Sequence, residues 1–124
     1  MRDRNYIATK EDWEISPMPR KCTAFTIKRH FTDEEIENLK AGHLPDDMDD
    51  RWFAYFEDNK LYIHRSWSGI CVYVVEFHFG KESLFDFHAD QHKVTVNRDN
   101  DQYSNTDIGE DIEQVNELLG WFAR

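Results

Sequence analysis

Residues 51–76, RWFAYFEDNKLYIHRSWSGICVYVVE, decide the fold. Trp52 to Phe56 and Leu61 to Trp67 are aromatic and aliphatic runs of strand length, separated by Glu57-Asp58-Asn59-Lys60. Asp and Asn tolerate positive φ, so the break reads as the turn of a β-hairpin. A tight turn at Ser68-Gly69 leads into Ile70 to Phe79, the longest strand candidate. Consecutive strands joined by short turns are usually neighbours, which predicts three antiparallel strands in a row.

Working outward, Cys22 to Phe31 alternates as a half-buried strand, with Cys22, Ala24, Thr26 and Lys28 on one side and Phe25 and Ile27 on the other. Thr32 followed three residues later by Glu35 is a capping-box spacing, so TDEEIENLKAG reads as a short helix stopped at Gly42. Leu44 to Asp50, LPDDMDD, is an acidic connection back to the sheet. Lys93 to Arg98 supplies another strand, and Gly80 to His92 is either a long loop or holds an edge strand around Leu84 to His88. Asp107 caps a last helix, with Glu110 at the capping-box position and Ile108, Ile112, Val115, Leu118, Leu119 and Phe122 on one stripe. The first twenty residues carry no period and end in Ser16-Pro17-Met18-Pro19, so they read as an irregular arm pinned through Trp13 and Ile15. The expectation is one α+β domain over residues 1–124: an antiparallel sheet of about five strands, a short helix after the first strand, and a C-terminal amphipathic helix on one face.

Composition bounds the function. The 25 acidic and 15 basic residues give a formal net charge of -10, which repels a phosphate backbone and argues against general nucleic-acid binding. No apolar run resembles a leader or a membrane span, and Cys22 and Cys71 read as reduced core thiols, so we expect a cytoplasmic protein that engages no membrane. No cofactor motif is present; the five glycines are scattered singly.

The polar string His64-Arg65-Ser66-Trp67-Ser68-Gly69 interrupts this sheet sequence. Alternation puts Arg65 and Trp67 on the face of Leu61 and Ile63, and His64 and Ser66 on the face of Tyr62. A guanidinium among apolar side chains needs a partner. Either Arg65 pairs with a carboxylate and Trp67 fills the core, or Arg65, with His64 or Ser66 nearby, holds an anion while Trp67 stacks on a planar ring. A second polar cluster, Asn97 to Tyr103, makes turns for the most part, but Arg98 and Tyr103 add a cation and an aromatic. If the Lys93 to Arg98 strand lies beside the His64 strand, Arg98 and Arg65 converge as a pair suited to a diphosphate. Asp86, His88, Asp90 and His92 alternate and, with His78, raise a metal reading; a solvated polar edge explains the same pattern, and no metal site is assigned. Ser66 or Ser68 beside His64 lacks the GxSxG turn of a hydrolase, so no catalytic residue is assigned.

The string HRSW-x-G-x-C-x-Y, here His64, Arg65, Ser66, Trp67, Gly69, Cys71 and Tyr73, resembles an uncharacterised HRSWTG-type small bacterial domain that also occurs as an appendage in proteins of ADP-ribose handling. The likeness runs from about Trp52 to Phe122, and NRD-x-x-QY is matched by Asn97, Arg98, Asp99, Gln102 and Tyr103; Ser68 stands where threonine is expected. The resemblance implies a context of ADP-ribose chemistry. The resulting expectation is a domain that binds a nucleotide-like anion such as ADP-ribose through His64, Arg65, Ser66, Trp67, Arg98 and Tyr103. Two alternatives stand beside it. One is an ADP-ribosyl transfer or hydrolysis enzyme using His64 with Glu76 or Asp99; the other is an immunity- or inhibitor-type protein whose acidic surface docks on a basic protein partner.

Overall fold

The computed structural model describes residues 6–80 and 89–124. Five strands, β1 (Cys22–Lys28), β2 (Trp52–Glu57), β3 (Lys60–Arg65), β4 (Cys71–Glu76) and β5 (Gln91–Asn97), form one antiparallel sheet in the order β1-β5-β4-β3-β2. Two helices, α1 (Asp33–Ala41) and α2 (Ile108–Phe122), complete an α+β fold. The hairpin between β2 and β3 turns on Asp58 (φ 53°) and Asn59 (φ 64°), both left-handed as a two-residue type I′ loop requires. That turn fixes the register, with Glu57 opposite Lys60 and Trp52 opposite Arg65.

The structure decides one conditional placement against the reading above and shortens one strand. β5 does not lie beside β3: β4 separates them, and β5 is sandwiched between β4 and β1. β3 also stops at Arg65, because Ser66 to Ser68 are already turn residues. The expected edge strand at Leu84 to His88 lies outside the described residues.

One sheet face carries the main core. Ala54, Leu61, Ile63, Val75, Val94 and Val96 pack with Leu39 of α1 and Val115, Leu119 and Phe122 of α2, and all are fully buried. Each large side chain so removed from water contributes about 1.5–3 kcal/mol. Thr32 caps α1 with the predicted box, its hydroxyl accepting from Glu35 N and its own N–H donating to the Glu35 carboxylate. α2 starts at Asp107 as expected, but its inward face differs: Ile108 and Ile112 are each 37% exposed, while Asp111 is completely buried. The helix turns a carboxylate inward where the apolar stripe placed an isoleucine.

The opposite face of β2 and β3 has its own small cluster of Ala8, Phe53 and Tyr55, joined by Trp13, Ile15 and Tyr62. The arm supplies the cover. A 3-10 turn at Lys10–Asp12 folds it, Trp13 stacks on Phe53 at 5.7 Å, and Ser16 N donates to Gly69 O. The arm lies so close that Gly69 (φ +74°) has no room for a Cβ, which would meet the Glu14 carbonyl oxygen. Cys22 is exposed and only Cys71 is a core thiol; β1 is an edge strand whose Cys22 side faces solvent. Among the described residues no helix is long and apolar enough to cross a membrane.

Candidate functional site

The turn from β3 to β4 organises the polar string. A bulge at Ile63/His64 precedes it, Gly69 N donates to Arg65 O, and Arg65 N donates to Ile70 O. His64 is 2% exposed, and its Nδ1–H donates to the Gly69 carbonyl, tying the two ends of the turn together. Its ring lies against Phe53 and Tyr55, and the buried Nε2 meets no hydrogen-bond partner among the described residues. Burial lowers the His64 pKa below the ordinary 6.5, with the Gly69 hydrogen bond opposing in part. A sealed neutral imidazole offers no surface for proton exchange with a ligand. Ser66 is also internal: its N–H donates to Arg51 O and its hydroxyl to Asp50 O, so it clips the acidic connection onto the turn.

Arg65 and Trp67 are different. Arg65 lies half-buried on the helix-bearing face with its guanidinium carbon 4.9 Å from the Trp52 ring centroid, a cation–π contact across the hairpin register. Among the described residues no carboxylate pairs with it. Trp67 does not fill the core: it stands 77% exposed at the turn apex, its indole N–H donating to Met48 O at 3.0 Å. Two hollows meet at Arg65 and Gln102. One, of about 420 Å³, is lined by Arg51, Arg65, Trp67, Ser68 and Ile70 together with Gln102; the other, of about 410 Å³, has Tyr103, Asn105, Glu110 and Gln114 on its walls.

The second guanidinium at this site is Arg51, not Arg98. Sequence reading missed it because Arg51 lies just before β2, at the end of the acidic connection, and looks like a solvated residue. Its signal was in the register, since Trp52 opposite Arg65 sets Arg51 opposite Ser66, and Ser66 N indeed donates to Arg51 O. Arg98 is taken up internally: it forms an ion pair with the fully buried Asp111 and donates to the carbonyl oxygens of Asn97 and Asn105. With β4 between β3 and β5, the expected facing of Arg65 and Arg98 does not occur, and Arg98 lines neither hollow.

Tyr103 reaches the polar hollow while its hydroxyl belongs to the Asp111 network. Asp111 Oδ1 lies 3.0 Å from both the Tyr73 and the Tyr103 hydroxyls and accepts from Asn105 Nδ2 at 3.1 Å. Gln114 Oε1 lies 2.7 Å from the Tyr73 hydroxyl and 3.3 Å from that of Tyr103. Each hydroxyl has one proton, so the two tyrosines divide these two acceptors between them. Burial, with Tyr103 and Asp111 adding to it, raises the Tyr73 pKa far above the usual phenol range. The network forms a polar wall beside the hollow.

Of the residues that raised the metal reading, Asp86 and His88 lie outside the described residues. Asp90 bonds His30 at 2.9 Å, and His92 accepts from His78 N and donates to Arg29 O, using both ring nitrogens. Among the described residues no three potential ligands come together. Comparison with family models, curated proteins and solved structures finds no match.

Proposed function

We propose that this chain is a binding module for a nucleotide-like anion, with ADP-ribose as the expected representative, and that it acts without chemistry of its own. The observation that carries this reading is the placement of Arg51 and Arg65, both lacking a carboxylate partner among the described residues, in one hollow with the exposed Trp67 indole. In a chain of net charge -10, two cations focused at one place favour an anion there over the rest of the surface. Arg65 is held by Trp52 beneath it, so less conformational freedom is lost when a phosphate arrives. The phosphates would lie between Arg51 and Arg65 and a base would stack on Trp67. Ribose hydroxyls would then face Gln102, Asn105, Glu110 and Gln114, which offer both donors and acceptors. The resemblance of the HRSW-x-G-x-C-x-Y string to a domain that accompanies ADP-ribose handling supports the choice of nucleotide.

Calorimetric titration with ADP-ribose, AMP and NAD tests the reading. Heat of binding is expected for ADP-ribose, with Arg65→Gln and Arg51→Gln each weakening it by about 10- to 100-fold, the worth of one charge-assisted hydrogen bond. Absence of heat with millimolar ligand, or binding untouched by both substitutions, overturns it.

A further inference from the structure

A third hollow, of about 320 Å³, opens on the other side of the same turn, and its chemistry is opposite. Trp13 and Trp67 form two of its walls, Met48 (80% exposed) a third, and Asp46 and Asp47 its rim. Both indole N–H groups are already used internally, Trp13 Nε1 on Ser66 O at 2.7 Å and Trp67 Nε1 on Met48 O at 3.0 Å. The rings are thereby fixed in place, and what they offer a visitor is π-surface. Trp13 spends one face on Phe53, leaving the other for the hollow.

The rim carboxylates remain largely uncommitted. Asp46 makes no side-chain hydrogen bond or ion pair with a described residue, and Asp47 uses one oxygen, Oδ1, to accept from Asp49 N and Asp50 N. Among the described residues no basic side chain lines the space. Asp50, the remaining acid of the loop that points inward, is bound to His43 Nε2 at 2.6 Å and anchors the loop from below. Two fixed aromatic faces, a thioether and unneutralised carboxylates select an organic cation whose charge is spread over carbon-bound hydrogens, because such a cation gains from the ring quadrupoles and loses little hydration. We propose that this hollow binds the methylated ammonium of a lysine side chain presented by a basic segment of a partner protein. The surrounding charge makes a basic protein segment the complementary source: Asp46, Asp47 and Asp49 lie within four residues on a surface of strongly negative net charge.

The site is independent of the nucleotide proposal except for Trp67, and the test separates them. Short peptides carrying trimethyllysine, or its neutral isostere with a tert-butyl group, are titrated calorimetrically against the whole chain, with choline chloride as a third probe. The trimethyllysine peptide is expected to bind about two- to thirtyfold more tightly than the isostere, the span of a cation–π contact. Trp67→Ala, and Asp46→Asn with Asp47→Asn, should each weaken it; asparagine keeps the Oδ1 acceptor that shapes the loop, so the fold is retained. Arg51→Gln with Arg65→Gln should leave it unchanged. Equal binding of the isostere, or no binding of the peptide in the millimolar range, overturns the proposal. Choline binding more tightly than the peptide overturns its assignment to a protein side chain.

Discussion

Replacing Arg98 by methionine separates a structural cation from a ligand-binding one. Asp111 is 0% exposed and Arg98 15% exposed, so the substitution leaves a buried carboxylate facing Asn105, Tyr73 and Tyr103 with no counter-charge. Removing one partner of a buried pair costs about 3–5 kcal/mol. The partial exposure of Arg98 admits some solvent screening and puts the expected loss near ~3 kcal/mol. For a chain of this length that corresponds to a fall in melting temperature of roughly 10–15 °C. Urea denaturation monitored by tryptophan fluorescence measures it. Combining Arg98→Met with Asp111→Asn removes the stranded charge while keeping an acceptor for the tyrosine hydroxyls, and should recover at least about half of the loss. The reasoning fails if Arg98→Met leaves stability within about 0.5 kcal/mol of the parent. It fails doubly if ADP-ribose binding disappears in that stable variant, since Arg98 would then be serving a ligand.

Burial lowers the pKa values of His64 and His92 below 6.5 in the folded chain, while in the unfolded chain both return to it. The unfolded state therefore binds protons first, and stability present above pH 6.5 declines as pH falls below that value. The slope reaches up to ~1.4 kcal/mol per pH unit for each histidine. Urea midpoints that do not move between about pH 7.5 and about pH 5.5 would refute the neutral burial of both rings. Gly69→Ala should cost at least ~2 kcal/mol, because the left-handed φ and the Glu14 carbonyl oxygen both oppose a Cβ. The same substitution should expose the 13–16 segment to proteolysis, and a variant as resistant as the parent would show that the arm is not held there.

What the sequence made legible was local. The Thr32 box, the Asp58-Asn59 turn and the Asp107 cap are each written within a few residues, because the groups that satisfy the backbone lie within one turn of chain. The face of Arg65 was legible for the same reason, as alternation along β3 places it with Leu61 and Ile63. The fate of Arg98 was not. Its partner Asp111 lies thirteen residues away on α2, at a position where the helical stripe alone favoured Ile112. The error over Arg65 and Arg98 arose from strand order: β5 pairs with β1, a contact across nearly seventy residues that no local pattern encodes. Arg51 was hidden because a residue before a strand has no alternation to place it; only the hairpin register brings it to the site.

The arm has a practical consequence for anyone dividing the chain. Its proline punctuation, Ser16-Pro17-Met18-Pro19, invites a cut just before the first strand. Yet Ala8, Trp13 and Ile15 roof Phe53 and Tyr55. A fragment beginning at residue 17 would carry a bare aromatic plate on the back of its sheet and is expected to self-associate, so the minimal autonomous unit starts upstream of Ala8.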